Sequence, residues 1–209
     1  MDMYNLAAAN PLLGIMRNVP LEKTIDYAEA AVAGGVSFFE VAMNSTHALE
    51  QITMLRNHFG DRATVGAGTA ITVDRCRKAL DAGAQFLLTP GTPLDVFAYC
   101  AEQDVALMPG VLTPFDVATS LEFGFRTMKL FPAGTMPMQY IKDLKGPFDD
   151  THYIAIGGVT VDNVRQFMEA GYLGVGLGGG LMPKAAVDAG DWDTCAAYVR
   201  ELVNRVHGR

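Results

Sequence analysis

Two charged side chains fall inside stretches that otherwise read as buried strand: Lys129 in RTMKLFPAGT and Glu40 in VSFFEVAMNS. Met128, Leu130 and Phe131 leave water readily, whereas an ammonium or a carboxylate is costly to bury unless it is paired, hydrogen-bonded or neutralised. A water-poor pocket disfavours the charged form of an amine, and a neutral amine attacks a carbonyl carbon to give an iminium, which is an electron sink. A carbon–carbon bond one atom away can then break or form, provided an acid/base such as a glutamate moves the protons. A lysine and a glutamate in an apolar pocket are the minimal equipment for that chemistry. The alternative is a buried Lys129–Glu40 ion pair that only fills the interior, since structural pairs also perturb titration.

Other chemistries find less support. Cys76, Cys100 and Cys195 are far apart and odd in number, which fits neither a disulfide framework nor paired zinc ligands. His47, His58, His152 and His207 are dispersed, with no HxH or HExxH, so no protein-made metal site is expected. A net charge of -7 with interspersed signs gives no basic face for a phosphate backbone, so nucleic acid is not an expected partner. The start, MDMYNLAAANPLLGIM, lacks a basic region followed by a long apolar stretch, and no segment approaches about 18 consecutive apolar residues. The expectation is a cytoplasmic protein without a membrane partner. At 50% apolar and 19% charged, the 209 residues can bury a real core.

The elements that must position Lys129 and Glu40 follow one grammar. AEAAVAGGVSFFEV, RKALDAGAQFLLTP, ATSLEFGFRTMKLFP and RQFMEAGYLGVGLG each join helical spacing, a glycine and a short apolar run. The glycine suits a left-handed helix C-cap and the run suits a fully buried strand. Strands are predicted near residues 13–17, 37–42, 63–67, 85–89, 105–108, 126–130, 153–157 and 173–177. Helices are predicted between them, opening near Pro20, Ser45 or Thr46, Thr72, Thr92 with Pro93, Thr113 with Pro114, Pro137 and Thr160. About eight strand–helix repeats of roughly 25 residues predict a compact α/β chain, a (β/α)8 TIM barrel forming a single domain over 1–209. An open doubly wound sheet uses the same alternation, but no GxGxxG follows the first strand.

In such a barrel, function sits at the C-terminal strand ends. Those ends read Arg17, Glu40, Gly66-Ala67-Gly68-Thr69, Thr89-Pro90-Gly91, Pro109-Gly110, Lys129, Gly157-Gly158 and Gly178-Gly179-Gly180. Glu40 and Lys129 fall on the second and sixth predicted strands, consistent with one layer of the interior. The late glycines are either tight turns or a cradle of backbone N–H groups for an anion, as the loops after the seventh and eighth strands often are.

FEVAMNS, VGAGT, TPG, MPGVLTP, KLFPA, GGVT and VGLGGGLMP, in this order over most of the chain, resemble the 2-keto-3-deoxy-6-phosphogluconate / 4-hydroxy-2-oxoglutarate aldolase family. The resemblance implies a metal-independent class I aldolase on a (β/α)8 barrel, a homotrimer that releases pyruvate from 2-keto-3-deoxy sugar acids with no cofactor beyond a covalent Schiff base. It implies that Lys129 is the Schiff-base lysine and Glu40 the general acid/base. Thr69, Pro90 and Phe131 then lie about the pyruvate part, Arg17 meets a carboxylate or phosphate, and Gly157, Gly158, Gly178 and Gly179 cradle the distal phosphate. Asn44 stands where gluconate-type members carry an arginine, Ile156 replaces a threonine, and Gly179 replaces a serine. The first two are similar to the 2-keto-3-deoxy-6-phosphogalactonate branch, and the third fits neither branch.

The leading expectation is therefore reversible cleavage of a 2-keto-3-deoxy-6-phospho sugar acid to pyruvate and D-glyceraldehyde 3-phosphate. A non-phosphorylated 2-keto-3-deoxy sugar acid or 4-hydroxy-2-oxoglutarate is the alternative substrate. The other readings are a phosphate-binding isomerase or epimerase with an electrostatic Lys129, and a non-catalytic sugar-acid-binding barrel. His47 is read as a solvated helix-start residue.

Overall fold

The computed structural model describes residues 1–209. Its strands are β1 (Leu12–Met16), β2 (Phe38–Ala42), β3 (Thr64–Gly68), β4 (Leu87–Leu88), β5 (Leu107–Met108), β6 (Gly110–Val111), β7 (Thr127–Leu130), β8 (His152–Ile156) and β9 (Gly174–Leu177). They form one sheet in the order β5-β4-β3-β2-β1-β9-β8-β7-β6, with every pairing parallel. The eight expected strands become nine segments because Pro109, which has no N–H to give a ladder, divides the fifth. β5 pairs with β4 while β6 pairs with β7, so this one stretch joins both edges of the sheet and closes the cylinder.

The helices are α1 (Met3–Ala9), α2 (Thr24–Gly34), α3 (Ala48–Phe59), α4 (Val73–Asp81), α5 (Leu94–Glu102), α6 (Pro114–Glu122), α7 (Tyr140–Lys145), α8 (Val164–Ala170), α9 (Lys184–Ala189) and α10 (Trp192–His207). The glycines that separate helix from strand in the four repeats, Gly35, Gly83, Gly124 and Gly171, all have positive φ, between 83° and 104°. A side chain there would be strained, so each helix stops where its strand must begin. Gly34 serves packing instead: a Cβ would lie 2.5 Å from Val199, and its absence lets α10 lie close on α2.

Thr72 and Thr113 cap α4 and α6 through their hydroxyls, as expected. α7 and α8 begin later than Pro137 and Thr160 suggested. Asn163 takes the Thr160 N–H at 2.7 Å, so that residue belongs to the loop before α8.

Two apolar layers result. One lies between sheet and helices; the other fills the barrel and contains Leu13, Ile15, Phe38, Phe86, Leu88, Met108, Ile154 and Ile156. Successive strand residues face opposite ways. Phe38 is in the inner cluster and Phe39 and Val41 in the outer one, so Glu40 points inward; Met128 and Leu130 are in the outer cluster, so Lys129 points inward too. The helix preceding β1 was not anticipated. Asp2 caps α1 by accepting from the N–H groups of Tyr4 and Asn5, and Met3 and Ala7 join the inner cluster, closing the N-terminal end of the barrel. No helix is long and apolar enough to cross a membrane.

Candidate active site

Parallel register sets Glu40 beside Gly66 across β2 and β3, and Lys129 beside Gly110 and Ile154 in its own neighbours. Across the interior, Lys129 Nζ stands 3.9 Å from Glu40 Oε2, with side chains only 4% and 0% exposed. Neither carboxylate oxygen of Glu40 accepts a hydrogen bond from the protein. A buried carboxylate ordinarily takes several such bonds, and leaving it without them is costly. A structural pair would be expected to close to direct contact and recruit further donors; this one stands 3.9 Å apart with both carboxylate oxygens free of protein donors. Lys129 Nζ also lies 5.1 Å from the centre of the Phe131 ring, which walls the amine on that side.

The small residues around the pair make room for it. A Cβ on Gly68 would lie 1.6 Å from Glu40 Oε1, so only glycine fits there. Thr69 follows at the mouth, with φ +58°. The Thr89 hydroxyl donates to the Gly91 carbonyl at 2.6 Å and accepts from the Gly110 N–H at 3.1 Å, which folds the loop carrying Pro90 back against the chain. A Cβ on Gly110 would sit 2.5 Å from the Pro90 carbonyl carbon. Behind this rim, Asp116 accepts from the N–H groups of Leu112 and Thr113 and the hydroxyls of Thr113 and Thr92. Burial pushes the Asp116 carboxyl up, but these donors outweigh it and hold it below its ordinary value.

A second feature adjoins the first. A cavity of about 320 Å³ is lined by Ile15, Arg17, Phe131, Ile156, Gly157, Gly158, Gly178 and Gly179, among others. Gly157 and Gly158 have φ +87° and +79°, and the Gly157 carbonyl accepts from the Gly134 N–H at 2.7 Å. Asn163 brackets this loop, accepting from the Thr160 N–H and donating to the Gly158 carbonyl at 2.9 Å. Gly176 leaves space for Ile156, whose Cγ1 would be 2.8 Å from a Cβ there. Around Gly179 a Cβ would meet nothing within 4 Å.

Thus Lys129, Glu40 and Phe131 come together, and Arg17, Ile156 and the late glycines gather in the adjoining cavity. Asn44 stands exposed in the loop after β2 and lines neither. His47 is exposed and paired with Glu50 at 2.7 Å. Thr89 falls at a strand end named from sequence, whereas Asn163 and Arg75 have no sequence signal beyond a polar side chain within one turn of a glycine or threonine loop. No cluster of three or more His, Cys, Asp or Glu side chains is placed to hold a metal ion.

Fold and site together define a class: a closed parallel (β/α)8 barrel with an amine facing an otherwise unpartnered carboxylate inside it, beside a cavity walled by glycine and arginine. The KDPG and KHG aldolase family model matches residues 5–198. The 2-dehydro-3-deoxy-6-phosphogalactonate aldolase of Escherichia coli (strain K12) is 31% identical over 172 residues, covering 82% of this chain and 84% of that protein. The 2-dehydro-3-deoxy-phosphogluconate aldolase of Dickeya dadantii (strain 3937) is 30% identical over 200 residues, covering 95% and 93%. A crystal structure of KDPG aldolase from Legionella pneumophila, with pyruvate captured at low pH as a covalent carbinolamine intermediate, superposes with a TM-score of 0.90 at 25% identity, covering 97% of this chain and 98% of that one. The chain belongs to the KDPG and KHG aldolase family, whose members are lyases.

Proposed function

We propose that this chain is a class I aldolase that cleaves a 2-keto-3-deoxy-6-phospho sugar acid reversibly to pyruvate and D-glyceraldehyde 3-phosphate. The observation that carries the reading is the buried Lys129–Glu40 pair at 3.9 Å, with a carboxylate that no protein donor satisfies. The neutral Lys129 amine attacks the C2 carbonyl, forming a carbinolamine that loses water to give the iminium. Glu40 takes the proton of the C4 hydroxyl as the C3–C4 bond breaks; the bond's electron pair passes into the iminium, leaving an enamine and releasing the aldehyde. A proton returned to C3 regenerates the iminium, and water frees pyruvate and the lysine. No cofactor beyond this covalent intermediate takes part.

Thr69, Pro90 and Phe131 wall the pyruvate part. Arg17, which is exposed at the cavity edge, and the backbone amides of Gly157, Gly158, Gly178 and Gly179 receive the distal phosphate. The chain assembles as a homotrimer, and Ile71, Leu94 and Phe115, exposed just before α4 and at the starts of α5 and α6, offer apolar side chains for a subunit contact; Phe115 is 76% exposed. Three free cysteines, all buried, fit a reducing cytoplasm.

Borohydride reduction with pyruvate, read by mass spectrometry, tests the proposal. A pyruvate adduct at Lys129 is expected in the parent chain and none in Lys129→Arg, which keeps the charge but forms no imine. Lys129→Arg must also abolish cleavage while leaving the fold intact. Retained cleavage, or no adduct under conditions that trap a known Schiff base, refutes it.

A further inference from the structure

Three non-glycine residues have φ between +50° and +60°: Asn18, Thr69 and Asp104. Asn and Asp enter the left-handed region at small cost, because their short side chains bond locally, but a β-branched residue there is a true outlier. Thr69 is therefore the strained one. It directly follows Gly68, the residue whose missing side chain makes room for Glu40.

We infer that Arg75 is a positioning residue that holds Thr69 in this conformation at the mouth of the site. The inference rests on the proposed reading of Thr69 as a wall of the pyruvate site. The Thr69 carbonyl accepts two hydrogen bonds, from the Ile71 N–H at 3.0 Å and from Arg75 Nη1 at 3.2 Å. The Ala70 N–H is turned away to the Leu88 carbonyl at 3.1 Å, which ties the turn to β4. Arg75 is itself anchored: its backbone N–H donates to the Thr72 Oγ1 that caps α4, at 3.2 Å. One residue thus braces both ends of the 69–75 turn, by its backbone at the cap and by its side chain at the strained carbonyl. The half-buried guanidinium forms no ion pair within the chain, so the carbonyl is not competing with a carboxylate for it. A charged donor makes the bond stronger than a neutral one would be.

Two readouts test this, one of them independent of catalysis. In Arg75→Ala, amide hydrogen exchange at Ala70 and Ile71 is expected to accelerate, and kcat/KM for cleavage to fall about tenfold, the loss expected for one charge-assisted hydrogen bond. Arg75→Lys, which restores a charged donor, should recover part of both. In a Thr69→Asn background, where the left-handed backbone is tolerated, replacing Arg75 by Ala should change exchange and kcat/KM by a much smaller factor. An equal loss in both backgrounds, or unchanged exchange in Arg75→Ala, overturns the inference. If Arg75→Ala does not fold, Arg75→Gln carries the same comparison in both backgrounds. Absence of a pyruvate adduct in the parent chain strikes the aldolase reading instead, and leaves the exchange measurement to decide on Arg75.

Discussion

Gly68→Ala is the sharpest test of where the proposed acid/base works. A Cβ at this position would lie 1.6 Å from Glu40 Oε1, 2.1 Å from Cδ and 2.6 Å from Cγ. Comfortable contact needs about 3.5–4.0 Å, so carboxylate and strand must separate by about 2 Å. The strand is the less able to yield: Gly68 pairs with Ala42, and its carbonyl accepts from the Met43 N–H at 2.8 Å. Its φ is not positive, so alanine brings no backbone strain of its own. The perturbation therefore falls on Glu40, which has no exposed route of escape. A misplacement of about 1 Å can cost about 100-fold in rate, so kcat should fall by at least that factor. Overpacking should cost about 1–3 kcal/mol, at about 2–4 °C of melting temperature per kcal/mol for a chain of this size. The assay couples pyruvate release to kinetics, with a thermal melt and borohydride trapping on the same samples. Lys129 is untouched, so the pyruvate adduct should survive while turnover collapses. Gly146→Ala, whose nearest new neighbour is the Asp143 carbonyl at 3.4 Å, is the matched control. A folded Gly68→Ala enzyme with kcat within about threefold of the parent would refute the assignment of Glu40, since that difference is under about 1 kcal/mol of barrier.

Two further outcomes follow from the rim and the cavity. Arg17→Ala should raise KM for the phosphorylated substrate about tenfold, the value of a charge-assisted bond, and leave the non-phosphorylated sugar acid nearly unaffected; equal loss on both substrates would place Arg17 elsewhere. Asp116→Ala removes a capping box and the acceptor of four hydrogen bonds, and should cost about 1–3 kcal/mol at neutral pH by chemical denaturation. Because the folded carboxyl sits below its ordinary value of 3.8, the charge-dependent part of that stability is present above pH 3.8 and is lost as pH falls through the folded value. The gap between parent and variant should therefore narrow in acid, and a gap that stays constant to pH 2 would contradict the direction of the shift.

The inward aim of Glu40 and Lys129 was legible because strand alternation is strict: with Phe39, Val41, Met128 and Leu130 facing the helices, their neighbours have only the interior left. The four left-handed glycines were legible for a related reason, since each stands at a change of period from helix to strand. What escaped lacks a period. α1 is too short to show a repeating face, and its role comes from Met3 and Ala7 joining a cluster with Phe38 and Ile154, far along the chain. Pro109 divides a strand through a missing donor, although the apolar run continues across it. Arg75 and Asn163 act through side-chain bonds to loop carbonyls, and such contacts depend on how the chain folds back in space. Asn44, placed near the substrate by its motif, stands exposed in the loop after β2.

The stopper that α1 forms under the barrel has a kinetic consequence. Met3 and Ala7 pack into the inner layer below, and the cavity that adjoins Phe131 lies at the opposite strand ends, with Arg17 and the late glycines. Under the proposed chemistry, the fragment held deepest, on Lys129, can depart only after the fragment nearer the opening has gone, so the products leave in a compulsory order. Under the same chemistry, solvent protons reach the enamine from that side. Isotope exchange from water into the methyl group of bound pyruvate should then slow whenever an aldehyde fills the opening, and traffic through one end of the barrel sets the sequence of events at its centre.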